Sequence, residues 1–78
     1  MSLLGESAEL SLMQIHVNGE KKEIEANSSL THLLSSLGFA GKPVAIELNK
    51  KALTPSEIKS QILYNEDELE IIVLAPGG

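Results

Sequence analysis

Cysteine is absent from these 78 residues, which excludes disulfides, thiolate metal sites and cysteine nucleophiles within the chain. Tryptophan is absent too, and with one Tyr and one Phe any core must be aliphatic. Basic residues are scarce: six Lys and Arg stand against eleven Asp and Glu, a net charge of −5. That balance argues against a nucleic-acid backbone, whose affinity rests on neutralised phosphates, and favours a partner with a basic surface. No apolar run approaches the roughly 18 to 20 residues of a membrane span, and the opening lacks the basic start and apolar stretch of a signal peptide. A cytoplasmic location is the expectation.

What is present is a folded-domain composition. The hydrophobic fraction is 42%, mainly Leu, Ile, Val and Ala, enough for one small domain but not for a deep enclosed active site. Residues 1–12 mix Ser, Glu and Leu without a clear period and read as an extension, either native or a cloning remnant. Residues 13–78 read as the folded unit.

From Met13 the chain alternates. Met13, Ile15 and Val17 point one way and Gln14, His16 and Asn18 the other, as a half-buried strand requires. Asn18-Gly19 supplies the positive φ of a tight hairpin turn, so a second strand is expected through Lys22 to Glu25, with Ile24 buried. Asn27, Ser28 and Ser29 offer helix caps, and Leu30, Leu33, Leu34 and Leu37 recur at helical spacing before Gly38. This predicts one amphipathic helix of about ten residues. Val44 to Leu48 reads as a third strand, Asn49-Lys50 as a turn and Leu53 as part of a short edge strand. Thr54-Pro55 starts a helical turn through Ile58, and Leu69 to Leu74 is the last strand, after the acidic turn Asn65 to Glu68. Only a sheet with the helix laid across one face buries that helix and uses the hairpin, which is an α+β architecture.

Enzymatic chemistry finds no foothold. His16 and His32 fall on polar faces and have no companion ligands at metal spacing, so they read as surface histidines and no metal site is expected. The acidic turn lacks the ligand order of a calcium loop and reads as solvated. The serines lack a nucleophile elbow, and there is no phosphate-cradling glycine loop. What remains is the ending Ala75-Pro76-Gly77-Gly78, where two glycines follow an apolar strand. Such a tail has reach without bulk, and a narrow channel that any Cβ would obstruct can admit it. Its carboxylate becomes an electrophile once adenylated.

Met13-Gln14-Ile15 with Val17-Asn18-Gly19, Leu30-Thr31-His32-Leu33-Leu34, Val44 to Asn49, and Asp67 to Ile72 running on to Gly77-Gly78 together resemble the ThiS family of ubiquitin-like sulfur carriers in thiamin biosynthesis. The resemblance implies a β-grasp fold, a mixed sheet of four to five strands with the first and last parallel at its centre. It implies that Gly78 is adenylated by an E1-like adenylyltransferase using ATP and magnesium, converted by a persulfide donor to a thiocarboxylate, and used by thiazole synthase. The chain would then be a protein co-substrate that binds no cofactor itself. Ala75, Pro76 and Gly77 would be read by the partners' channels, with Pro76 stiffening a tail expected to be mobile in the free protein.

By period two, Leu69, Ile71 and Val73 should face the helix, leaving Glu70, Ile72 and Leu74 as a partner-binding face. Alternatives of the same fold stay open: a sulfur carrier for molybdopterin synthesis, or a ubiquitin-like modifier whose Gly78 forms lysine isopeptides.

Overall fold

The computed structural model describes residues 11–74. Strand β1 (Leu12–Val17) and strand β2 (Glu20–Glu25) form the expected hairpin, joined by Asn18 at φ 52° and Gly19 at φ 86°. Both angles lie in the left-handed region that an Asn-Gly pair adopts at low cost. The pairing begins at Leu12, opposite Glu25, and the Ala26 N–H donates to the Ser11 carbonyl at 2.8 Å.

Helix α1 spans Leu30–Ser36, shorter than the leucine spacing suggested. Leu37 serves as its C-cap and Gly38, at φ 88°, reverses the chain. Of the candidate caps it is Ser29 that closes the N-terminus, its hydroxyl accepting from the His32 N–H at 3.0 Å. Strands β3 (Val44–Leu48) and β4 (Lys51–Ala52) follow, turning through Asn49 and Lys50 at φ 51° and 72°. Leu53 lies just beyond β4 but keeps its N–H on the Ile46 carbonyl at 3.0 Å. Helix α2 (Pro55–Ser60) runs past Ile58 and starts with a reciprocal capping box between Thr54 and Glu57. Strand β5 (Glu68–Val73) completes a sheet in the order β2-β1-β5-β3-β4.

The central pair β1 and β5 is parallel, and every other pairing is antiparallel. One face of the sheet carries Met13, Ile15, Val17, Ile46, Leu69 and Ile71, which pack with Leu30, Leu33 and Leu34 of α1. The opposite face is open, so β1 and the first part of β5 alternate in burial where cover on both faces would have buried every residue. One expectation is corrected here. Ile24 is only half-buried, because β2 is the edge strand and the helix reaches no further. Leu63, in no regular element, is fully buried. It is held where the Leu63 N–H donates to the Ser28 carbonyl and the Leu30 N–H to the Gln61 carbonyl, both at 2.9 Å. Among the described residues no helix is long and apolar enough to cross a membrane.

Candidate functional site

Strand β5 carries the chain toward its C-terminal residues, and its neighbours fix where it points. On one side β3 pairs with it throughout, from Leu48 opposite Leu69 to Val44 opposite Val73. The Leu74 N–H then donates to the Pro43 carbonyl at 2.9 Å, so the backbone is anchored up to Leu74. On the other side β1 reaches only as far as His16 opposite Glu68 and Val17 opposite Leu69 before the hairpin turns away. There the Asn18 side chain takes over, its Oδ1 accepting from the Ile71 N–H at 2.8 Å and its Nδ2 donating to the Ile71 carbonyl at 3.3 Å.

The face expected to meet a partner lies as the period-two reading placed it. Glu70, Ile72 and Leu74 point away from the helix, with Ile72 53% and Leu74 47% exposed. Opposite Ile72 on β3 stands the small Ala45, so nothing on that neighbour covers the isoleucine. Glu47 sits opposite Glu70, a like-charged pair that a basic partner would relieve. Val73 departs from expectation: it shares the side of Leu69 and Ile71 but is 49% exposed, because the last residue of β5 lies beyond the helix cover. Leu74 continues the exposed apolar surface of Ile72 at the exit of the strand.

Ala75, Pro76, Gly77 and Gly78, and with them the expected mobility of the tail, lie outside the described residues.

The acidic turn is more than a solvated loop. Asp67 accepts from the Tyr64 N–H at 2.8 Å through Oδ2 and from Asn49 Nδ2 at 3.0 Å through Oδ1. Asn49 Oδ1 in turn accepts from the Glu68 N–H at 2.9 Å. Both Asn18 and Asn49 thus extend the pairing of β5 with side-chain amides, roles that the sequence reading did not assign. The available signal was an asparagine directly after each strand flanking β5, at a position where positive φ also favours Asn. His16 is 3.0 Å from Glu66 through Nε2, a surface contact, while His32 is exposed on α1. Among the described residues no group of His, Cys, Asp and Glu is gathered to hold a metal ion.

Comparison with known proteins fits this geometry. The family model described as "ThiS family" matches residues 15–78. The sulfur carrier protein ThiS of Thermus thermophilus is 31% identical over 64 residues, covering 82% of this chain and 98% of that protein. The thiazole synthase of Magnetococcus marinus is 38% identical over 66 residues, which is 85% of this chain but only 20% of the length of that protein. Among solved structures, the thiamine biosynthesis protein ThiS of Geobacter metallireducens superposes with a TM-score of 0.72 at 28% identity, covering 85% of this chain and all of that one. The chain belongs to the ThiS family of sulfur-carrier proteins of thiamin biosynthesis.

Proposed function

We propose that the chain carries sulfur on the carboxyl group of Gly78 and delivers it to thiazole synthase. The observation that carries this reading is the family match running to Gly77 and Gly78, joined to a strand β5 that is anchored up to Leu74 and presents Glu70, Ile72 and Leu74 on its open face. In the proposed cycle an E1-like adenylyltransferase binds ATP and magnesium, and a Gly78 carboxylate oxygen attacks the α-phosphorus while pyrophosphate leaves. A persulfide sulfur then attacks the activated carbonyl and expels AMP, and a thiol cleaves the S–S bond to leave the thiocarboxylate. Nucleotide and metal belong to the activating enzyme. This chain contributes the acyl group, the reach of Ala75 to Gly78 and a docking face.

The likeness to a segment of the Magnetococcus thiazole synthase supports that enzyme as the acceptor, since a carrier-like segment within the acceptor's own chain keeps donor and acceptor together. The docking face suits this use because Ile72 and Leu74 bury apolar area on a partner while Glu70 and Glu47 orient it through charge.

The reaction product separates a carrier from a modifier of the same fold. With the cognate activating enzyme, ATP, magnesium and a sulfur source, the carrier reading expects a free thiocarboxylate. Recovery of lysine-linked conjugates without one would favour a ubiquitin-like modifier.

A further inference from the structure

Away from the open sheet face, α1, α2 and the 39–44 segment enclose a groove of about 490 Å³ that lies open to solvent along one side. Its floor is apolar, formed by Leu34, Phe39, Val44 and Ile58, and Lys42 and Lys59 also line it. Charge sets this groove apart in a chain of net charge −5. The depression beside β2 is lined by Glu23 and Glu25, and the two on the open sheet face include Glu68 and Glu70. The groove at α2 has two lysines and no carboxylate in its lining. Among the described residues the one ion pair is His16 with Glu66, so neither lysine is paired there.

We propose that this groove is a second docking site, which takes an acidic amphipathic segment of a protein partner, with apolar side chains on the floor and carboxylates at Lys42 and Lys59. An apolar trough with cations along it matches an amphipathic segment laid lengthwise, the groove mode of peptide recognition. Its position also fits the carrier role, on which the identity of the partner rests. Pro43, in the lining, accepts from the Leu74 N–H, and Val44 stands opposite Val73. A protein that docks on β5 up to Leu74 therefore has its own surface next to residues that line the groove, where binding one site raises the effective concentration at the other. The capping box of α2 fixes the helix that supplies Ile58 and Lys59, so the groove is built before a partner arrives.

The test uses the full chain, labelled with nitrogen-15, and two synthetic probes. One is a blocked peptide of about ten residues with Leu, Phe and Ile at helical spacing and Glu elsewhere. The other carries Lys in place of each Glu. The acidic peptide is expected to shift the amide resonances of Leu34, Phe39, Val44 and Ile58, with the basic peptide binding at least about tenfold more weakly. Both lysines are exposed, so Lys42→Glu with Lys59→Glu should fold normally, lose the acidic peptide and gain the basic one. Lys42→Gln with Lys59→Gln should lose the discrimination without reversing it. Equal affinity for the two peptides, shifts confined to Glu70, Ile72 and Leu74, or no shifts at about millimolar peptide would overturn the proposal. Thiocarboxylate formation on the unaltered chain is read separately by mass, so loss of the groove proposal and loss of the carrier reading remain distinct results.

Discussion

The side-chain amide of Asn18 pairs with the backbone of Ile71 as a strand residue would, accepting from its N–H at 2.8 Å and donating to its carbonyl at 3.3 Å. It does so at the point where β1 turns away from β5. The same residue occupies the hairpin turn at φ 52°, so one asparagine both reverses the chain and clamps the strand that leads to the tail. Asn18→Gly keeps the turn conformation and removes only the clamp. Stability should fall by about 1 to 2 kcal/mol by urea denaturation, and the Ile71 amide should exchange faster with solvent. Unchanged protection at Ile71 would show that the clamp is not what holds β5.

The capping box of α2 gives a pH prediction. The Thr54 N–H donates to the Glu57 carboxylate at 2.9 Å, and this bond, opposed by slight desolvation and helped by nearby Lys51, holds the Glu57 carboxyl below its ordinary value. A carboxyl lowered on folding adds stability that is present above its unfolded pKa and lost as pH falls through its folded pKa. Glu57 should therefore titrate below the ordinary glutamate value by carbon-detected NMR, and α2 amide protection should decline as the pH falls through that lowered value. Glu57→Gln should remove this pH dependence while still capping the helix.

Leu63 shows where the sequence was opaque. The hairpin was legible because Asn-Gly has one favoured use between alternating strands, and α1 because its leucines share a face. Leu63 sits in a stretch with neither period. Its burial depends on an isolated bridge between Ser29 and Ile62, a contact between residues far apart in the chain. Val73 was misplaced for a related reason: alternation gives the side of the sheet but not how far the helix extends over it. The lysine-lined groove was out of reach because α1, α2 and the 39–44 segment meet only in the fold. Leu63→Ala should cost about 2 to 5 kcal/mol in thermal or chemical unfolding, a loss that an exposed loop leucine would not produce.

The open sheet face separates binding from stability. Ile72 is 53% exposed and faces Ala45 across the sheet, so Ile72→Glu should leave the melting temperature nearly unchanged. Affinity for the E1-like enzyme, measured by calorimetry, should fall by about tenfold or more, since a buried isoleucine side chain contributes on the order of 1.5 to 3 kcal/mol. Unaltered affinity would remove this face from the proposed interface.

Sulfur on the Gly78 carboxyl group can be read by intact mass. Incubated with its E1-like enzyme, ATP, magnesium and a sulfide source, the chain should gain about 16 Da by exchange of one oxygen for sulfur. A version extended by one residue after Gly78 should fold but gain nothing, because displacement of the reacting carbon by even about 1 Å can cost on the order of a hundredfold in rate. No gain on the unextended chain, or the same gain on the extended one, would rule out a carrier that works through the Gly78 carboxyl group.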